Sequence, residues 1–265
     1  MSQPVFQLTV LGTRGSMPIC CPDRMIFGGN TSCYMVRAGE TTIFLDAGSG
    51  LAAAPKEFPQ PPAILLSHLH LDHILGLGTY RRLLQKGLET DLYLPFGSSQ
   101  EGRRILDGVF SPPYWPLSLT EYAGSLRLRR YSPDLKIGEV SVDTEKGSHP
   151  GGSLLIRLRF QGKTLVYATD FEHGEFARKK LAAFAERADL LLYDGQFTKK
   201  DYVNRVGFGH STAEDGLEVM RLSGAKQMLL IHHDPQSTDE MLLRREKELG
   251  CAAAHYAREG ETITI

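Results

Sequence analysis

The sequence predicts an α/β fold, and three observations carry that prediction. Short apolar runs of strand length alternate with helix-like stretches and Gly/Pro turns. Side chains with metal-binding chemistry stand at the C-terminal ends of several of those runs, where the loops of α/β folds gather functional groups. Finally, 265 residues with 42% hydrophobic content can bury a sizeable core as one large domain, taken as residues 1–265. No repeat of solenoid period and no low-complexity linker divides the chain.

The elements follow in order. Strands are predicted over Gln7–Leu11, Ser32–Val36, Thr42–Leu45, Ala63–Leu66, Leu154–Phe160, Thr164–Ala168, Leu190–Tyr193 and Gln227–Ile231, each an apolar or alternating run bounded by turn residues. Helices are predicted over Thr79–Lys86, Glu175–Glu186, Ala213–Leu222 and Asp239–Leu249. The last is preceded by the cap candidates Ser237 and Thr238 and stopped by Gly250.

The hexapeptide His68-Leu69-His70-Leu71-Asp72-His73 carries the most chemistry. Imidazole nitrogens and a carboxylate are ligands that zinc and related divalent ions accept. Crowding four of them into one loop costs stability unless something binds them. In a turn leaving a strand, His68 and His70 can converge on one point. Asp72 and His73 follow as the chain curls into a helix and point to a second. Four ligands from one loop crowd a single tetrahedral ion, so two metals ~3.5–4 Å apart are the natural solution. The remaining ligands come from a short search, because the chain has nine histidines. His149 lies in Ser148-His149-Pro150-Gly151-Gly152, Asp170 follows Thr164–Thr169, and His232 follows Met228–Ile231.

These matches span nearly the whole chain and resemble the metallo-β-lactamase superfamily: Phe44-Leu45-Asp46-Ala47-Gly48, then the hexapeptide, then His149, Asp170 and His232 in order. The resemblance implies a four-layer αββα sandwich, two mixed sheets flanked by helices. It implies that His68, His70 and His149 hold a first metal, that Asp72, His73 and His232 hold a second, and that Asp170 bridges them. Asp46 would fix the metal loop by hydrogen bonds. Spacing leaves His232 and His233 open as the ligand; the resemblance implies His232. Two divalent ions are expected, zinc first, with manganese, iron or nickel as alternatives. Many true β-lactamases have cysteine at the position of Asp170, and flavo-diiron proteins have glutamate at that of His70, so neither antibiotic hydrolysis nor oxygen chemistry is expected.

Asp194-Gly195-Gln196-Phe197-Thr198 and Gly209-His210-Ser211-Thr212-Ala213 resemble two late motifs of the ribonuclease Z-like and cyclic-nucleotide phosphodiesterase-like branch. By that resemblance His210 is the general acid, charged and held by Asp194; a metal-bridging hydroxide, oriented by Asp72 or Asp170, is expected to attack phosphorus. The competing account of this segment is a helix cap at Ser211 or Thr212. The expected activity is phosphodiester cleavage in a small nucleotide, cyclic ones included. The alternatives are tRNA 3′-end endonuclease action of the ribonuclease Z type and lactone or thioester hydrolysis on the same metals. Leu11-Gly12-Thr13-Arg14-Gly15-Ser16 and Gly28-Gly29-Asn30-Thr31-Ser32-Cys33 read either as a phosphate-binding glycine loop, with Arg14 and Asn30 as contacts, or as tight turns.

Composition narrows the partners. Thirty Lys and Arg against 31 Asp and Glu leave a net charge of −1, which is not the profile of a chain that grips long nucleic acid. The segment Met1-Ser2-Gln3-Pro4-Val5 lacks a basic and apolar leader pattern, and no run approaches the ~18 apolar residues of a membrane span. Cys20, Cys21, Cys33 and Cys251 show no paired framework, consistent with a cytoplasmic protein. By analogy with relatives a homodimer is expected. The Pro-rich segment Phe110–Leu117, with the single Trp115, reads as a lid, a base-stacking platform, a dimer contact or a crossover packed on its own domain.

Overall fold

Strands buried on both faces lose the polar half of their alternation, as Ala63–Leu65, Leu190–Asp194 and Met228–Ile231 do. The computed structural model describes residues 5–95 and 99–265. Residues 1–4, most of the segment read above for leader character, lie outside the described residues.

One sheet holds β1 (Phe6–Gly12), β2 (Cys33–Ala38), β3 (Thr41–Leu45), β4 (Ala63–Leu65), β5 (Glu89–Leu94) and β6 (Ser125–Arg130). The other holds β7 (Leu135–Ile137), β8 (Val140–Lys146), β9 (Leu154–Phe160), β10 (Lys163–Ala168), β11 (Leu190–Asp194), β12 (Met228–Ile231) and β13 (Ala254–Tyr256). β14 (Thr262–Thr264) returns to the first sheet and pairs antiparallel with β1. The orders are β14-β1-β2-β3-β4-β5-β6 and β13-β12-β11-β10-β9-β8-β7. Both sheets are mixed: β3 to β6 and β10 to β13 run parallel, the rest antiparallel.

Three apolar cores make four layers. Between the sheets, Val36, Ile43, Leu45 and Leu65 meet Ile156, Leu165, Tyr167, Leu192, Leu229 and Ile231. The opposite face of the second sheet (Val166, Ala168, Leu191, Leu230) packs on Leu181, Val219 and Leu242. These come from α3 (Glu175–Phe184), α5 (Ala213–Ser223) and α6 (Asp239–Glu248), numbered after α1 (Leu71–Ile74) and α2 (Ser99–Val109), with the one-turn α4 (Lys199–Tyr202) preceding α5. Phe44, Ile64 and Leu92 of the first sheet pack outward on Leu77, Leu83 and Leu106. Alternate residues of one strand therefore enter different cores, as in Leu165/Tyr167 against Val166/Ala168.

This is the predicted αββα sandwich, and all eight predicted strands are present. The predicted helix Thr79–Lys86 is not. Two 3₁₀ turns, Leu75–Thr79 and Arg81–Leu84, flank an extended Tyr80. Leu77, Tyr80 and Leu83 are the large apolar residues buried there, and their spacing of three is the 3₁₀ repeat rather than the α repeat. Helix α2 and strands β5 to β8, β13 and β14 are additional; α2 contains Gly102 and Gly108, and β6 carries three arginines, which masked their type. Among the described residues no helix is long and apolar enough to cross a membrane.

Candidate metal centre and acid pair

Six strand ends deliver the site to one edge of the sandwich: Asp46 after β3, His68 after β4, His149 after β8, Asp170 after β10, Asp194 at the end of β11 and His232 after β12. Asp46, Asp170 and His232 adopt left-handed backbone (φ 59°, 48° and 61°). For residues with a Cβ this costs on the order of 1–3 kcal/mol each, a cost that clusters at functional sites.

Within the hexapeptide, His70 stays extended (φ −62°, ψ 151°) and Asp72 and His73 enter the first turn of α1. That change of geometry splits the ligands. Donor atoms of His68, His70, His149 and Asp170 gather within 4.8 Å of one another, and those of Asp72, His73 and His232 do likewise. Asp170 stands between the groups. Its Oδ1 is 3.6 Å from Nε2 of both His68 and His149, and its Oδ2 is 3.1 and 3.3 Å from Nε2 of His73 and His232. Asp72 Oδ2 approaches the same two rings at 3.2 and 3.1 Å.

The backs of the rings are held. Asp46 accepts from Ser67 N, Ser67 Oγ and Tyr167 OH, each at 2.7 Å, and pairs at 2.7 Å with His73 Nδ1. Ser67 Oγ reaches His68 Nδ1 at 3.0 Å, and Gly209 O accepts from His149 Nδ1 at 2.9 Å. These contacts leave Nε2 of all three rings for the centre. The Nε2 atoms of His68 and His73 are buried without a hydrogen-bond partner. Buried polar atoms are rarely left so, and a pair of orphaned imidazole nitrogens facing a shared carboxylate is a donor set that fits divalent cations.

The charges follow the same pattern. Burial, then the His73 charge, holds the His68 ring well below the ordinary imidazole value. Burial likewise lowers His149. Burial disfavours the ionised Asp72 and Asp170, but the rings of His73 and His232, and for Asp170 also His68, outweigh it and hold both below the usual carboxylate range. Conversely, burial opposes the charge on His73 and His232, yet the facing carboxylates raise both, His232 to about 9. The facing carboxylates favour the protonated form of both rings, so cation uptake is expected to displace protons and to strengthen as pH rises toward about 9. Titration calorimetry at pH 7 in buffers of different ionisation enthalpy is expected to show net proton release; none would remove His232 from the ligand set.

Beside this centre His210 Nδ1 bonds Asp194 Oδ2 at 2.8 Å, leaving Nε2 unused. The His210 ring stacks on His232 (4.8 Å, 20°) and lies against Phe197. Asp194 also accepts from Gln196 N at 3.1 Å. Capping of α5 is done by Thr212, which accepts from Asp215 N, so His210 is not needed as a cap. A cleft of about 440 Å³, lined by His68, His70, Leu69, Lys146, Gly151 and Leu154 among others, opens beside the first group.

Other candidates fall away from the centre. His233 points the opposite way, its Nε2 2.8 Å from Ala257 O and its ring against Phe27 and Tyr256; burial drives its pKa down to about 3. Arg14 and Asn30 are not free for phosphate. Arg14 is fully buried and donates to the carbonyls of Gly28, Asp234 and Ser237, while Asn30 binds Glu259 and Ser49. The glycines there allow close backbone packing, since a Cβ at Gly12 would stand 2.0 Å from Thr31 O. Trp115 packs on its own domain, over Gly78 and against Phe110, with Nε1 donating to Tyr122 OH at 2.6 Å. Sequence reasoning missed Ser67 and Tyr167 around Asp46, Ser16, whose N–H donates to Asp72 Oδ2 at 2.7 Å, and Glu172. Their side chains are ordinary for their elements, and only position distinguishes them.

The fold finds counterparts among known proteins. The chain is 26% identical to ribonuclease Z of Ignicoccus hospitalis over 91% of each chain. The crystal structure of the metallo-beta-lactamase fold protein YhfI from Bacillus subtilis superposes with a TM-score of 0.77 at 22% identity, covering 99% of this chain and 100% of that one. A diphosphatase from the PhnP family superposes with a TM-score of 0.72 at 20% identity over 98% of each. The sequence profile described as the beta-lactamase superfamily domain matches residues 41–233, from β3 to just past β12, and the chain belongs to the metallo-β-lactamase superfamily.

Proposed function

We propose that this protein is a dinuclear metal-dependent phosphodiesterase acting on a small nucleotide diester, with His210 as general acid. That the chain is a metallo-β-lactamase-fold hydrolase with a divalent-metal site follows from its family and its His/Asp cluster. The proposal adds the ligand assignment, the acid and the substrate class. His68, His70 and His149 would hold one cation, Asp72, His73 and His232 the other, and Asp170 both, across residues 1–265 as one catalytic domain. Bound there, two divalent cations supply Lewis acidity toward the phosphoryl oxygens and lower the pKa of a shared water toward neutrality.

The observation that carries the reading is the His210–Asp194 pair at 2.8 Å. Asp194 holds Nδ1 and so fixes the ring's orientation, leaving Nε2 to hand a proton to a departing oxygen. A ribose alkoxide needs that proton, whereas a thiolate does not, so the pair disfavours thioester hydrolysis. Asp170 Oδ1 at 3.9 Å from His210 Nδ1 keeps the acid beside the cluster. Asp72, held by Ser16 N–H, is placed to orient a nucleophile.

The ribonuclease Z relatives favour a second reading, cleavage at a tRNA 3′ end. Against it, the cleft of about 440 Å³ is on the scale of a single nucleotide unit, and a net charge of −1 offers little to a long polyanion. The deciding experiment is a turnover screen of zinc- and manganese-loaded protein. The panel holds 2′,3′- and 3′,5′-cyclic nucleotides, a precursor tRNA, a lactone and a thioester, with His68→Ala as blank. Cyclic-nucleotide turnover without tRNA cleavage is expected. Cleavage of the tRNA alone, or of the acyl compounds alone, overturns the substrate class.

A further inference from the structure

The segment Val203–Gly209, which ends at His210, is held by a side chain two residues beyond Asp170. The Glu172 carboxylate accepts from Tyr202 OH (3.0 Å) and Gly207 N on Oε1, and from Gly209 N (3.0 Å) on Oε2. Its own N–H donates to Ser148 O at 2.7 Å, one residue before His149. Gly209 O in turn accepts from His149 Nδ1. One residue thus ties together the loops that carry Asp170, His149 and His210. Gly207 and Gly209 have φ of 88° and 91°, the conformations that turn both N–H groups toward the carboxylate. Gly209 has no room for a side chain, because a Cβ there would stand 2.0 Å from His149 Nδ1. Tyr202 ends α4, whose start is fixed by Thr198 accepting from Asp201 N.

We propose that Glu172 is a positioning residue for the general acid: it fixes the Gly207–Gly209 loop so that His210 Nε2 meets the leaving oxygen. This rests on the reading of His210 as the acid. Donors face both oxygens of the carboxylate, two on Oε1 and one on Oε2, so glutamine is not a neutral replacement. Its amide NH₂ would face an N–H or O–H donor on one side or the other, and the loop would shift away from it.

The test uses metal-loaded protein and two probes, bis-(p-nitrophenyl) phosphate, whose leaving group needs no proton, and diphenyl phosphate, whose phenoxide does. Glu172→Gln is expected to lose ~10-fold in kcat on diphenyl phosphate, the scale of an outer hydrogen-bond partner, with KM, metal content and the nitrophenyl rate little changed. In a His210→Ala background it should cause no further loss, and Tyr202→Phe should give a smaller loss of the same selectivity. Equal losses on both probes, an additive loss in the His210→Ala background, or loss of metal overturns the inference. If His210→Ala itself is unselective, the acid reading falls and this inference with it. If His210→Ala is selective and Glu172→Gln is not, only this inference falls. Should Glu172→Gln not fold, the selectivity of Tyr202→Phe decides.

Discussion

Asp170→Ala is expected to strip the protein of both cations and of measurable turnover. Each oxygen of this carboxylate faces a different pair of imidazoles, His68 and His149 on one side, His73 and His232 on the other. Removing it leaves each cation group without its shared anion and leaves two rings whose raised pKa depends on that charge. Loss of a partner that merely orients a ligand costs ~10–100-fold in affinity or activity, so loss of a shared ligand should cost far more. Metal analysis after dialysis checks this, with circular dichroism to establish that the sandwich persists. Asp170→Asn, which keeps an oxygen but not the charge, is expected to retain less metal than the native chain and more than Asp170→Ala. A full complement of two cations in Asp170→Ala would refute the shared-ligand assignment.

His210→Ala is expected to keep the metals and lose ~10²–10⁴-fold in rate on a diester with an alkoxide leaving group, the contribution typical of a general acid. On bis-(p-nitrophenyl) phosphate the loss should be far smaller. The ring is bound through Nδ1 to Asp194, and this geometry leaves its other nitrogen for proton transfer. A competing arrangement exists, since donor atoms of His210, Asp170 and His232 also lie within 4.8 Å of one another. Metal content separates the two. Loss of a cation in His210→Ala makes the residue a ligand, and retained metal with a selective rate loss makes it the acid. Equal rate losses on both substrates would end the acid assignment.

Much of the fold was legible because so many of its strands are buried on both faces. Runs such as Leu190–Tyr193 and Met228–Ile231 have no polar alternation to confuse with a surface strand, and turn residues bound them. The elements that escaped are those whose composition contradicts their type. Strand β6 reads Ser-Leu-Arg-Leu-Arg-Arg because it lies at a sheet edge, where Arg127 and Arg129 pair with Asp91 of β5 across the surface. The misplaced helix at Thr79–Lys86 has good helix formers, but packing on the first sheet selected a spacing of three.

The sequence alone determined the chemistry of the centre, because metal-grade side chains at the ends of apolar runs constrain what the site can do before any contact is known. Side-chain identity sets ligand type, charge and acid–base capacity, and strand ends set the edge where they meet. Tertiary structure alone decided which atoms face one another. His232 and His233 are adjacent and alike in sequence, but packing around them turns one ring to Asp72 and the other to Ala257 O. Arg14 carries a charge suited to phosphate, yet the packing of three loops buried it among carbonyls. Glu172 is one carboxylate among 31 acidic residues until folding brings Gly207 and Gly209 to it. Residue types are local properties of a chain, whereas the direction in which a side chain points is set by the elements that pack around it.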